Sequence, residues 1–178
     1  EEEGVLPAYT IEEVVVTEKR TERSGFNSIS TKMPVPLRST PASVGVVTHA
    51  LMKSQDNTIL GDALRNVSGV NVQTGFGVHD FFVIRGFDSL SNGLVLTDGA
   101  AEPEVTFYNL YNIERVEVLK GPGAFLYGGN PLSGTVDLVR KQPVFQDFAH
   151  IAGSYGRFQS YRGTLDAGMA RPDAGVAF

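Results

Sequence analysis

The sequence predicts an α+β fold that passes into a set of antiparallel strands. Three observations carry this. Between residues 41 and 143, short β-prone runs are separated by glycine, proline and Asp-Gly punctuation. A sustained helical spacing appears at Thr58–Val67, where Ile59, Leu60, Ala63, Leu64 and Val67 share one face. After Pro143 the alternation lengthens into hairpins.

Taken in order, residues 1–12 are acidic and aperiodic, and are expected to be flexible. Glu13-Val14-Val15-Val16-Thr17 is a β-prone run with charge on both sides. It reads either as a first strand or as an extended peptide that adds to a partner's sheet edge. Residues 18–41 favour the second reading, because Lys19–Arg23, then many Ser and Thr, then Pro34, Pro36 and Pro41 have a linker's composition.

The packed pattern is expected from Pro41 onward. Ser43–Thr48 is a strand and His49–Ser54 a helical turn. The Thr58–Val67 helix has Thr58 as its expected cap and Gly69 as its stop. Val70–Thr74 alternates as a strand, Gly75–Asp80 is a loop, and Phe81–Ile84 is a buried strand ending at Arg85-Gly86-Phe87. Gly93–Thr97 is a strand closed by Asp98-Gly99, and residues 100–112 are a longer loop. Glu114–Leu119 is read as alternating charged with aliphatic residues, which predicts a strand with one dry face and one wet or ion-paired face. Lys120-Gly121-Pro122-Gly123 breaks it, and Gly134–Val139 is one more strand.

Phe148–Tyr155 and Tyr161–Met169 alternate again around the tight connection Gly156–Gln159. Gly175–Phe178 begins a third strand. Strands of about 9–10 residues match the length a tilted strand needs to cross a bilayer, although a soluble hairpin has the same pattern. Two or three such strands leave raw edges, so the chain is read as an N-terminal portion of something longer.

Composition narrows the chemistry. The 178 residues carry a net charge of −5 with no basic block, which argues against nucleic acid. There is no cysteine, so disulfides, thiolate–zinc sites and thiol nucleophiles drop out. No apolar run approaches the roughly 18 residues of a membrane-spanning helix. Gly121–Gly129 is glycine-rich, but it lacks Gly-Lys-Ser/Thr, and Pro122 removes an N–H that a phosphate loop would use. His49, His79 and His150 have no metal-ligand spacing. No Ser sits in a G-x-S-x-G elbow, and Asp98-Gly99 reads as a turn. An enzyme is therefore not expected. Phe76, Phe107, Tyr108 and Tyr111 gather in loops, either to cover small cores or to stack on a bulky ligand that the polar neighbours His79, Glu102, Glu104 and Asn109 select.

The motifs also have an order. They run from Glu13–Thr17 through Pro41–Thr48, Leu60–Val72, Phe82–Phe87 and Leu94–Gly99 to Ile113–Gly128 and Gly134–Lys141. This succession resembles the plug domain of TonB-dependent outer-membrane receptors, and covers nearly the whole chain. Thr31-Lys32 and Leu37–Pro41 look most like the ferric-siderophore members. The departures are Ser133-Gly134 where the family often has Gly-Gly, and Asp137 where it often has Asn.

The resemblance implies a small mixed βα plug with a four-stranded type of sheet, lodged in a large transmembrane β-barrel of the 22-stranded kind. Residues 1–40 would be a flexible segment carrying the TonB box at 13–17. Residues 41–143 would be the plug, and 144–178 the start of the barrel. With only about 12 residues before the box, an extra N-terminal signalling domain is not expected. Arg85 and Lys120 would pair with acids on the barrel wall, with Glu114, Arg115 and Glu117 extending this lock. Phe76, His79, Glu102, Phe107 and Tyr108 would line outward ligand loops. The implied activity is active transport of a metal chelate, a ferric siderophore, across the bacterial outer membrane. The N-terminal segment would face the periplasm and bind the TonB C-terminal domain, energised by ExbB/ExbD. Barrel strands would meet outer-membrane lipid. No cofactor or bound metal is implied, since iron would arrive only inside the cargo. Cobalamin, haem or a saccharide is an alternative cargo, and a soluble interaction module without transport is the alternative class.

Overall fold

A computed structural model of the chain describes residues 25–75, 79–89, 93–102, 107–128, 133–171 and 175–177. The Glu13–Thr17 run lies outside the described residues, as do residues 76–78.

Strands β1 (Phe26–Asn27) and β2 (Val35–Pro36) form a small antiparallel pair, followed by a 3₁₀ turn at Leu37–Ser39. Strand β3 (Ser43–Thr48) leads into helix α1 (His49–Ser54), where the Thr48 hydroxyl accepts from the Leu51 N–H. Helix α2 (Leu60–Leu64) buries four of its five residues. Then come β4 (Val70–Gly75), β5 (His79–Ile84), β6 (Phe87–Asp88), β7 (Gly93–Thr97), β8 (Ala100–Ala101) and β9 (Ile113–Lys120). A 3₁₀ segment at Pro122–Tyr127 turns the chain into β10 (Gly134–Arg140). The hairpin β11 (Phe148–Tyr155) and β12 (Tyr161–Gly168) follows, then β13 (Ala170–Arg171) and β14 (Val176–Ala177).

The organising element is a mixed sheet in the order β3-β9-β10-β7-β8. Four of its strands have five or more residues and β8 adds a two-residue edge, so the expected four-stranded sheet gains a short fifth member. Strand β9 is antiparallel to both β3 and β10, while β10 runs parallel to β7. One face of the sheet presents Val47, Val116, Val118, Val136 and Leu138 to α1, α2 and the β4–β5 pair, and this is the main core. Two tight hairpin turns carry positive φ at both central residues, Arg85-Gly86 (52° and 89°) and Asp98-Gly99 (49° and 78°). That is the twist-matched two-residue turn, which explains why glycine follows each charged residue.

Three expectations need correction. Residues 25–40 are not a loose linker, because Asn27 and Ile29 are fully buried and the segment lies against the second face of the sheet. Thr58 does not cap α2; Ile59 occupies that position without a side-chain bond, and the Thr58 carbonyl accepts from the Leu110 N–H instead. The alternation of β9 is interrupted, since Val139 pairs with Arg115 but Arg140 pairs with Ile113. Glu114 is thus the extra residue of a β-bulge. It swings outward, and Ile113 joins Val116 in the core.

Candidate functional site: the charged strand, its cover and the surface cations

Beyond the bulge, Arg115, Glu117 and Leu119 project to the second face of the sheet. Across the ladder, Glu117 stands opposite Val46 on one side and Asp137 on the other. Glu117 is 0% exposed and Asp137 only 4%. Two carboxylates therefore face each other in a dry layer, where each needs partners to stay charged.

Glu117 finds them in the covering segment. The Ser28 N–H donates to its Oε2 at 2.8 Å and the Ile29 N–H at 2.7 Å. The Ser28 hydroxyl lies 3.2 Å from both oxygens. Arg115 Nε donates to Oε1 at 2.7 Å, and Arg115 Nη2 also reaches the Ser28 hydroxyl. Tyr127 closes the other side, its hydroxyl donating to the Ile29 carbonyl at 2.9 Å. The Ile29 side chain fills a small apolar site with Leu119, Val44 and Tyr127. Glu117 thus reaches inward to the plug's own chain and has no face left for a wall outside it, which corrects its expected place in the lock. Arg115 shares that inward pairing.

Asp137 is less well served. Its Oδ1 accepts from the Gly99 N–H at 3.1 Å. Burial pushes its pKa up, the Gly99 bond opposes this, and the charges of Glu117 and Asp98 push it further up. The Tyr127 phenol is raised to about 12 by burial, then by Asp137 and Glu117. The Thr135 hydroxyl, buried beside these groups, has no hydrogen-bond partner among the described residues.

Arg85 and Lys120 behave differently. Arg85 is exposed at the tight turn after β5, and its guanidinium lies over Gly121, where an added methyl would sit 3.3 Å from Nη1. Lys120 ends β9 next to it and donates to the Ser68 carbonyl at 2.9 Å. Burial, then repulsion from Arg85, lowers the Lys120 pKa. Among the described residues, then, these two neighbouring cations have no carboxylate partner.

The loop aromatics separate. Phe107 is 47% exposed, whereas Tyr108 packs against the main core and its carbonyl accepts from the Leu60 N–H. Tyr108 is thus partly a core residue. His79 belongs to β5, paired with Gly75, and not to the loop expected there. Glu102 is half-buried, and its N–H donates to Val95. Tyr111, expected with the loop aromatics to cover a small core or stack on a ligand, donates its hydroxyl to the Leu165 carbonyl on the hairpin, and Lys141 lies over its ring. Lys141 also pairs with Asp166 at 2.5 Å.

A groove of about 1630 Å³ runs between the plug and the hairpin, past Met52, Ile59, Tyr111 and Thr164. Glu102, Phe107 and Tyr108 do not line it. On the hairpin side it is lined by the polar face, with His150, Ser154, Arg162 and Asp166. No group of His, Asp and Glu among the described residues could hold a metal ion, and no described helix is long and apolar enough to cross a membrane.

Comparison with known proteins places this architecture. Residues 36–135 match the family model described as "TonB-dependent Receptor Plug Domain". The chain belongs to the TonB-dependent receptors. It is 34% identical over 90% of its length to "Probable TonB-dependent receptor BfrD" of Bordetella pertussis, covering 21% of that protein. It is 32% identical over 82% of its length to the catecholate siderophore receptor Fiu of Escherichia coli, covering 20%. The pyoverdine receptor FpvA of Pseudomonas aeruginosa, solved with pyoverdine bound, superposes with a TM-score of 0.79 at 26% identity, over 89% of this chain and 24% of that one. The chain therefore spans about a fifth of the length of the curated relatives it matches. Its fold is a plug domain followed by antiparallel barrel strands, and its family is one of transporters.

Proposed function

We propose that this chain is the gate of an outer-membrane receptor that imports a ferric siderophore by TonB-dependent active transport. The observation that carries the reading is the hairpin joined to the plug. Ile151, Tyr155, Tyr161 and Leu165 line one face and are 84%, 80%, 86% and 64% exposed. They form cross-strand pairs, Ile151 with Leu165 and Tyr155 with Tyr161. The opposite face carries Ser154, Arg162, Thr164 and Asp166, and its Asp166 and Arg162 bond to Lys141 and Asp56 of the plug. An apolar outer face and a polar face turned to a plug are what a barrel wall requires in lipid.

In this reading Arg85 and Lys120 meet acids of the barrel wall, and Glu114, exposed at its bulge at the other end of β9, extends the lock from there. Glu13–Thr17 is the TonB box, in the periplasm, and adds as a strand to the TonB C-terminal domain. ExbB/ExbD supply the work. Ligand sits at the outward loops that contain Phe76, Glu102 and Phe107. The cargo rests on relatives named as siderophore receptors. The metal-pseudopaline receptor CntO, 31% identical over 81% of this chain, supports a second cargo reading, a chelate of another metal.

The test is Val15→Pro in the full-length receptor. Proline removes a ladder donor and distorts the added strand, so chelate uptake is lost while chelate binding is retained. Unchanged uptake overturns the assignment of the box. Growth of a receptor-deleted strain, complemented with the receptor, on a panel of metal chelates identifies the cargo.

A further inference from the structure

The covering segment, residues 25–40, is attached to the plug in an unusual way. Its backbone hydrogen bonds run within the segment: Lys32 to Ser28, Leu37 to Gly25, Thr40 to Leu37, and the β1–β2 pair. Asn27 staples it internally, bonding Thr40, Val35 and Ser30. The bonds that tie it to the central sheet come instead from side chains, those of Glu117, Arg115 and Tyr127, beside the apolar seat of Ile29. The sheet itself is different. Strand β9 is laddered to β3 over six residue pairs and to β10 over seven.

We propose that residues 25–40 are a detachable strap, clasped on the plug by Glu117, and that a pull from the N-terminal side releases this strap before any strand of the sheet. This rests on the reading that force arrives through Glu13–Thr17. The next part of the chain with described contacts is the strap, so it meets the pull first. Side-chain ties yield one at a time, whereas β3, the strand that follows the strap, is laddered to β9 over six residue pairs and must lose a row of bonds together. Detachment also leaves Glu117, Asp137 and Thr135 open to water. A buried carboxylate pair gains hydration on exposure, which offsets part of the loss of the clasp. Asp137 is the second member of the device because its charge weakens the clasp without breaking it.

The proposal is tested in the full-length receptor without other cysteines; this chain contributes none. Ile29→Cys with Leu119→Cys, oxidised to a disulfide, ties the strap to β9. Val44→Cys with Leu119→Cys ties β3 to β9, which are partners in the ladder. Chelate binding is measured for both, and establishes that the plug is folded. The strap tether is expected to lower uptake at least about tenfold, reversed by reductant, and the sheet tether to leave uptake unchanged. Normal uptake with the strap tether closed overturns the proposal, as does equal loss with both tethers, which would mean that the whole sheet must open. Val15→Pro reports on the TonB box independently, so the two readings fail separately.

A second measurement needs no tether. In a Leu119→Cys background, Glu117→Gln keeps the shape of the clasp but removes its charge. Labelling of the thiol introduced at position 119 is expected to rise about tenfold or more, the factor that corresponds to about 1.4 kcal/mol. Unchanged labelling means that Glu117 does not hold the strap, and refutes the clasp.

Discussion

Gly134→Ala should break the plug at its centre. Gly134 has φ +136°, a region that side-chain-bearing residues rarely adopt, and an added methyl carbon would lie 2.2 Å from the Leu119 carbonyl oxygen. A carbon and a carbonyl oxygen need about 3.3 Å, so β9 and β10 must part by about 1 Å at this point. There is nowhere to go, because Gly134 pairs with Lys120 on one side and with Gly93 on the other. Parting by that amount breaks about two ladder bonds at about 1 kcal/mol each. The backbone strain adds about 1–3 kcal/mol. The sum is about 3–5 kcal/mol, which at an m-value of about 2 kcal/mol per molar lowers a urea midpoint by about 2 M. The assay is urea unfolding of the detergent-solubilised full-length receptor, followed by a fluorophore on an introduced cysteine in the plug. Two companions calibrate it. At Gly45 the added carbon meets a side chain and no backbone, with Val67 nearest at 2.7 Å, and at Gly163 it meets nothing within 4 Å. The required order of damage is Gly134, then Gly45, then Gly163. A shift below about 0.5 M for Gly134→Ala, or a reversal of that order, refutes the reasoning.

Two further outcomes follow from the charges. Asp137→Asn keeps an acceptor for the Gly99 N–H and removes a charge that is held buried against Glu117. The native pKa of Asp137 is raised, so its contribution is full below the ordinary carboxyl value and is lost as pH rises through the native one. The variant should thus be the more stable at pH 7, with the gain fading on acidification; urea midpoints across pH 4–8 with a constant difference would contradict this. Replacing Arg85 and Lys120 together by Met removes two cations that lack a carboxylate among the described residues, and should loosen the plug in its barrel. Unchanged small-ion conductance and an unchanged melting profile would count against a lock at this position.

The sequence made local features legible and hid those made at a distance. Asp98-Gly99 and Arg85-Gly86 announce their turns because the chemistry of a positive-φ pair lies in adjacent residues. The β11–β12 hairpin is visible because its alternation is uninterrupted. The bulge at Glu114 was hidden, since a period-two scan assigns a face to every residue and cannot skip one. The strap was hidden more deeply. Its Ser, Thr and Pro content reads as a linker, and what orders it is a carboxylate 89 residues further on. The one available signal was the pair of acids that occupy facing positions of predicted strands, Glu117 and Asp137, because acids so placed in a core need donors from somewhere. Tyr108 and Tyr111 carry the same lesson. Loop aromatics report apolar demand, but not whether the core, the barrel wall or a ligand meets it.

Hold and release place opposite demands on one domain, and the two faces of the sheet divide them. The α1–α2 face is aliphatic, so opening it exposes Val47, Val116, Val118 and Leu138 at about 25 cal/mol per Å² with nothing in return. The strap face is held by donors converging on a dry carboxylate, bonds that are strong while water is excluded and weak once it enters. A cover attached in this way is stable against thermal opening, since loss of any single donor leaves Glu117 partly unsatisfied. It gives way under a directed pull, since each broken bond admits the water that solvates the next. An aliphatic clasp at position 117 would lack that second property, because water penetration makes apolar separation no easier. That difference is the physical reason for a glutamate, and not a leucine, in the middle of the plug.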